Sequence, residues 1–308
     1  MSDTSDLAPI GIPVFNRIEH TKILFNSLLQ NELVSKTDIY IFCDLEKNTN
    51  DKESVLEVRK YVESLSGFKS KQIVLRDYNY GLADNTIDGI NHIFKIHEKL
   101  IWVEDDKELS PYFLKYMNQG LNYYESQKKI MSISGYCFPT DNININDSAV
   151  ITRLMICWTW ATWKDRWAYF DRDISIMNKF NRSMKYQFNF ENTNLFWRQL
   201  VGNKTKRAKT WAIFWYASIF LNNGLCICPL EPLAIDTGSD GSGSNIEKTD
   251  IFKNELSKKD NFIFPSVIQE NKDYYESLKK YFKSIKPSLF HRLKFRLKND
   301  FFLFIGKK

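Results

Sequence analysis

The 308-residue chain reads as an α/β protein whose mostly parallel sheet is flanked by helices. Three observations predict this. Successive strand–loop–helix units fill the first half, and that succession calls for parallel strands joined by crossover helices. Polar residues recur just after the strands, where ligands gather in such a sheet. Hydrophobic residues make up 43 % and aromatics 15 %, enough for a sizeable core.

Residues 1 to 8 are polar and read as loose. APIGIPVFNR gives a first apolar strand running into a polar loop. Asn16, with Glu19 three residues on, forms a capping box for a helix over 18 to 31. TDIYIFCD is the second strand, with Asp44 at its carboxyl end. DKESVLEVRKYVESL is a helix with Val55, Val58 and Val62 on one side, and KQIVLRD is the third strand. A helix from Asn85 to Lys99 follows, with Ile90, Ile93 and Phe94 apolar. LIWV is the fourth strand, ended by Glu104, Asp105 and Asp106. Ser110 caps the next helix and Pro111 is its first residue. KIMSISGY is a fifth strand.

The second half is less regular. Trp158, Trp160, Trp163 and Trp167 crowd one segment, and a basic turn leads into the aromatic helix WAIFWYASIFL. CICPLEPLAI is strand-like, broken by Pro229 and Pro232, and TGSDGSGSN is a flexible loop with Asp240 at its middle. The expected division is 1–139 and 140–265 as two halves of the same unit, and 266–308 as a helical basic tail.

Net charge is +6, but Lys283 to Lys308 holds eight Lys or Arg and one acid, Asp300. The basic balance therefore belongs to the tail, and no basic stripe or recognisable module supports nucleic-acid binding. In the tail, Phe290, Leu293, Leu297, Phe301 and Phe304 fall at helical spacing among Arg292, Lys294, Arg296 and Lys298. That pattern suits an anionic membrane surface through 287–308, or packing on the body or another subunit. Its longest apolar run, FFLFI, is far too short to span a bilayer. Cys43, Cys137, Cys157, Cys226 and Cys228 form no metal-like set, and no signal-like stretch opens the chain. The expectation is a reducing cytoplasm, peripheral at the inner face of a membrane.

The acids after the fourth strand pose the chemical question. Such a cluster repels itself and resists burial, so either water covers it as a turn or a cation holds it together. Carboxylate oxygens suit Mg²⁺ or Mn²⁺, which bind diphosphates with only one or two protein carboxylates. No GxGxxG follows the first strand, and no GxxxxGKS/T or G-x-S-x-G occurs, which excludes ordinary dinucleotide, P-loop and serine-hydrolase motifs.

These residues resemble the GT-A class of nucleotide-sugar glycosyltransferases. The likeness covers roughly residues 8 to 250. It rests on the loop Pro13, Val14, Phe15, Asn16, Arg17; on Asp44; on Asn79, Gly81 and Leu82; and on Glu104, Asp105 and Asp106 as a D-x-D-like signature. The E-D-D form is similar to the N-acetylglucosaminyltransferase branch and to bacterial capsule and surface-polysaccharide transferases. WTWATWKDRW and the D-G-S-G of Asp240 to Gly243 look like the bacterial members.

The resemblance implies a nucleoside-diphosphate sugar as donor, UDP-linked by expectation, with Mn²⁺ or Mg²⁺ held by Asp106. Pro13, Phe15, Asn16, Arg17, Asp44, Asn79, Gly81, Glu104 and Asp105 would line the donor. Trp158, Trp160, Trp211 and Trp215 would stack on a saccharide or lipid-linked saccharide acceptor. An inverting transfer needs a base, and Asp240, Glu191 and Asp165 are the candidates in that order. A retaining reaction would not need the same base. Arg17, or Lys204, Lys206, Arg207 and Lys209, could steady the leaving diphosphate. Two departures stand out: Ala212 occupies a position where the class often has an acid, and Asn245 stands where a histidine often follows D-G-S-G. They support the alternative of a carbohydrate-binding protein of the same fold without turnover. A nucleotidyltransferase or nucleotide-sugar hydrolase is the further alternative.

Overall fold

A computed structural model describes residues 7–141, 143–241 and 255–285. The loose start, Asn245 and the 287–308 tail lie outside the described residues. Among the described residues the strands are β1 (Ile10–Val14), β2 (Asp38–Cys43), β3 (Ser70–Leu75), β4 (Lys99–Val103), β5 (Lys107–Leu109), β6 (Ile130–Ser134), β7 (Ala149–Thr152), β8 (Thr159–Trp163), β9 (Leu225–Pro229) and β10 (Ala234–Asp236). The helices are α1 (Ile18–Leu28), α2 (Lys52–Ser64), α3 (Gly81–Ile93), α4 (Phe113–Tyr123), α5 (Lys164–Trp167), α6 (Arg182–Phe188), α7 (Phe196–Lys204), α8 (Ala212–Leu221) and α9 (Lys272–Ser284).

Eight strands form one sheet in the order β3-β2-β1-β4-β8-β6-β9-β7. Strands β3, β2, β1 and β4 are parallel, as the repeated strand–helix units require. β8 runs antiparallel between β4 and β6, and β7 antiparallel at the edge beside β9. The result is the expected mostly parallel sheet with helices around it. β5 and β10 pair separately as a two-stranded antiparallel ribbon. Both faces of the sheet are covered. Ile101 and Val103 of β4 join one core layer with Ile10, Ile12 and Phe25, while Leu100 and Trp102 join the other with Phe42, Trp160 and Trp215. Gly11 is the price of that second layer, because a Cβ there would run into the Trp102 ring and Ile93.

Several boundaries differ from the sequence reading, each for a local reason. Asn16 does not cap α1. Its amide donates to Asp51 Oδ1 at 3.0 Å, and Arg17 takes the cap position without a side-chain bond. Helix α3 starts at Gly81, not Asn85, because Asp44 captures the Gly81 N–H and glycine accepts φ +71° there. It ends at Ile93, and Lys99 belongs to β4. Ser110 and Pro111 form a turn, and α4 starts only at Phe113. Ser110 Oγ donates to Ser257 O at 2.7 Å and accepts from Tyr112 N at 3.3 Å, so it ties two segments instead of capping a helix. Among the described residues, no helix is long and apolar enough to cross a membrane.

Candidate functional site

Parallel pairing of β1 with β4 brings the loops after both strands to one edge of the sheet. Arg17 stands at the start of α1, and its Nη2 donates to Asp105 Oδ1 at 2.8 Å and Asp106 Oδ2 at 2.7 Å. The β5–β10 ribbon sets Lys107 opposite Asp236. Lys107 Nζ bonds Asp236 Oδ1 at 2.6 Å and also Asp106 Oδ1, with Glu104 Oε2 at 3.7 Å. The Trp158 ring lies 5.1 Å from the same ammonium. Thus three carboxyl groups, two from the turn between β4 and β5 and one from β10, surround one buried lysine, and a guanidinium bonds two acids of the cluster.

The chain after β10 closes over these groups. Thr237 donates to Asp106 O through both its N–H and its hydroxyl, each at 2.9 Å. Gly238 then lies so close that a Cβ would collide with the Asp106 carboxylate, so only glycine lets this loop pass. Two residues on, Asp240 Oδ2 is 3.3 Å from His20 Nε2, and His20 sits on α1 beyond Arg17.

The electrostatics follow from burial. Loss of water pushes the Glu104 carboxyl up to about 8, with Asp106, Asp105 and Asp236 adding to the effect and Lys107 opposing it. Burial and Asp106 raise the Asp105 carboxyl although Arg17 pulls it down. At Asp106 burial acts the same way, but Lys107 and Arg17 outweigh it and hold the carboxyl well below its usual range. Burial disfavours the charged forms of Lys107 and Arg17, yet the surrounding acids keep both firmly protonated. Glu104, Asp105, Asp106 and Asp236 are four acids against two cations.

The carboxylates of this cluster are the oxygens that could hold a divalent ion of the kind the resemblance implies. All candidate ligands are hard oxygens. Among the described residues, no three His, Cys, Asp or Glu side chains are grouped to hold a metal unaided. The ribbon's lysine takes that focus. Lys107 and Arg17 already engage both Asp106 oxygens, and Arg17 also engages Asp105. The Asp106 and Asp105 side chains keep 16 % and 13 % of their exposure.

The other expected residues scatter. Asp44 is buried, and its carboxylate accepts from the N–H groups of Leu45, Tyr80 and Gly81 at 3.0, 2.8 and 2.8 Å. Asn79 donates to Leu45 O at 2.6 Å, so Asp44, Asn79 and Gly81 knit the loops after β2 and β3 together. Pro13 lies within β1 opposite Phe42, and Phe15 and Asn16 follow it towards Arg17. Trp158 borders the acid cluster and packs 4.4 Å from Tyr136, centroid to centroid. Trp160, Trp211 and Trp215 are instead core residues. Trp160 stacks on Trp211 at 5.4 Å and lies 6.2 Å from Trp215, so their faces meet one another.

Two of the candidate bases lie away from the acids. β8 pairs Trp163 with Lys99 and Thr159 with Val103, so Asp165 follows β8 at the far end of β4. There it pairs with Lys128 and Arg166 at 2.6 and 2.7 Å. The span of β4 separates it from Glu104. Glu191 faces α9, bonded to Lys279 at 2.7 Å and to the Tyr275 hydroxyl at 3.3 Å. Only Asp240 is brought beside the acid cluster. Lys107, Asp236, His20 and Gly238 were missing from the sequence reading. Lys107 carried one signal, since a lysine directly after three acids is placed to answer them; the rest depend on contacts distant in sequence.

No family model matches the chain, and a search of curated proteins finds no match. Among solved structures, S. aureus TarS overlaps with TM-score 0.36 and 13 % identity over 54 % of this chain and 29 % of that one. The chain thus spans under a third of that TarS chain. TarS 1-349 gives 0.37 and 14 % over 70 % of each chain. The mannosyltransferase PcManGT from Pyrobaculum calidifontis, in complex with GDP-Man and Mn²⁺, gives 0.39 and 9 % over 71 % of each. Overlaps this loose carry no argument about activity.

Proposed function

We propose that the chain transfers a sugar from a nucleoside-diphosphate sugar, UDP-linked by preference, to a saccharide acceptor of a capsule or surface glycan. The observation that supports this most is the acid-rich cluster at the end of β4, built around Arg17 and Lys107 and covered by the loop through Gly238. A bound Mn²⁺ or Mg²⁺ would neutralise charge on the departing diphosphate. Asp106 is the residue to hold it, and Arg17 fixes the Asp105 and Asp106 carboxylates through its two bonds. Asp44 shapes the loops on which the nucleotide would rest. Asp240 is the base proposed for the acceptor hydroxyl, with His20 3.3 Å away to orient its carboxylate. Trp158, beside Lys107, is the aromatic residue proposed for the acceptor, and the buried tryptophans are left to the core.

A binding protein without turnover is the second reading, favoured by Ala212 at the start of α8, which cannot take a proton. Peripheral attachment through 287–308 is a further proposal, on residues outside those described.

The test is a panel of nucleotide sugars screened for Mn²⁺- or Mg²⁺-dependent thermal stabilisation. The matching donor is expected to raise the melting temperature of the native chain and barely shift Asp106→Asn. Equal shifts in both would remove Asp106 from the proposed role. Oligosaccharide binding without nucleotide binding would favour the second reading. Donor cleavage without added saccharide would favour a hydrolase, and pyrophosphate release from a nucleoside triphosphate a nucleotidyltransferase.

A further inference from the structure

A pocket of about 350 Å³ shares no lining residue with the acid cluster. Three of its lining side chains are cations, Arg172, Lys206 and Lys209, while Ile174, Ala208 and Phe214 form an apolar wall. Arg172 follows α5, and the two lysines come from the turn between α7 and α8. Asp84, in the first turn of α3, pairs with two of the cations, Lys209 at 2.5 Å and Arg172. Three cations are thus set against one acid. Helix α8 begins at Ala212 without a side-chain cap, and its Phe214 lines the pocket. An uncapped helix start adds partial positive charge on the same side.

The turn that carries Lys206 is strained for a lysine. Arg207 N–H donates to Gly202 O at 2.9 Å and Lys206 N–H to Asn203 O at 3.1 Å. This closure of α7 places Lys206 in the left-handed region at φ +57°. Glycine takes that position without strain. The chain keeps a lysine there, and its side chain lines the pocket.

We infer that this pocket binds a phosphoryl group borne on a sugar-sized scaffold, with the phosphoryl oxygens on Arg172, Lys206 and Lys209 and the scaffold against Ile174, Ala208 and Phe214. The site stands whether or not the chain transfers a sugar. A phosphoryl group offers three acceptor oxygens and nearly two charges, so it answers three cations where the Asp84 carboxylate answers two. The pocket has the volume of a small ligand site, more than one phosphoryl group fills. Asp84 is then an internal competitor that keeps two of the cations in place when the ligand is absent. The Arg172 and Lys209 side chains are 31 % and 64 % exposed, so each contact is screened by water and salt and contributes modestly.

The test is isothermal titration calorimetry at low salt with a hexose 6-phosphate, beside the unphosphorylated hexose and inorganic phosphate. Native protein is expected to bind the hexose 6-phosphate more tightly than inorganic phosphate, and the bare hexose not measurably. Lys206→Gly is expected to weaken binding about three- to fivefold, the worth of one exposed ionic contact. Its melting temperature should hold or rise, because glycine relieves the left-handed backbone. Asp84→Asn is expected to tighten binding by a similar factor, since the competitor is lost. Lys204→Gln removes a charge from the same end of α7 but not from the pocket lining, and should change binding by less than about twofold. The phosphoryl group has two sources, a free sugar phosphate or a phosphorylated unit of a longer glycan. Tighter binding of an oligosaccharide with one phosphomonoester assigns the glycan, and binding no tighter assigns the free sugar phosphate. Equal weakening by Lys204→Gln and Lys206→Gly would reduce the pocket to diffuse surface charge and overturn the inference. So would inorganic phosphate bound as tightly as the sugar phosphate, an Asp84→Asn variant no tighter than native protein, or native protein that binds no phosphorylated probe.

Discussion

Two assemblies of charged side chains show opposite balances. Around the end of β4, four acids share Arg17 and Lys107, and all six side chains are 1–20 % exposed. At the first turn of α3, Asp84 alone faces two cations, Arg172 and Lys209, whose side chains are 31 % and 64 % exposed. The second excess is solvated, since water and salt screen exposed charges and leave little net interaction. The first has no such relief. Burial is what turns an unequal count of charges into a demand for something more, and the raised Glu104 carboxyl is the local sign of it.

Three substitutions break or sharpen this contrast. Lys107→Met is expected to destabilise most, by about 3–5 kcal/mol, because it leaves buried acids uncompensated. Urea unfolding measures it, and a loss no larger than that of a surface ion pair would erase the difference between the two assemblies. Gly238→Ala comes next, at roughly 1–3 kcal/mol, since the new methyl must displace either the loop or the Asp106 carboxylate. It should also blunt the donor-induced melting shift, whereas a glycine chosen only for flexibility would leave that shift alone. Asp84→Asn is expected to cost about 1 kcal/mol or less.

Asp84 also gives a pH signature. Burial would raise its carboxyl, but Arg172 and Lys209 override this and hold it below the usual range. A group lowered in the folded state stabilises above its unfolded value, and that contribution fades as pH falls through the folded one. Between about pH 6 and about pH 3 the native melting temperature should therefore fall slightly more steeply than that of Asp84→Asn. Parallel curves would mean that the pair contributes nothing.

The first half of the fold was legible because each strand and helix announces itself locally. Val55, Val58 and Val62 mark one face of α2, and LIWV ends abruptly in three acids. Helix starts were less so. Asn16 and Ser110 look like caps, but each side chain finds a partner across the fold, in Asp51 and Ser257. In the site, Arg17 and the acids could be named from sequence, and Asp240 could be proposed. The pairing of Lys107 with Asp236 joins residues 129 positions apart, and no local pattern encodes it. Aromatic count misled for the opposite reason: Trp160 packs on Trp211 and Trp215 in the core, and a sequence does not say which tryptophan faces outward.

The position of β8 has a consequence for how the chain can be divided. This strand lies beyond residue 139, yet it is hydrogen-bonded between β4 and β6, both from before that point. A cut near residue 139 would sever three ladders of the sheet, β4–β8, β8–β6 and β6–β9, and leave β6 without its neighbours. The halves are thus interlocked like the tines of two combs, and neither can be exchanged as a module in building chimaeras without carrying the other along.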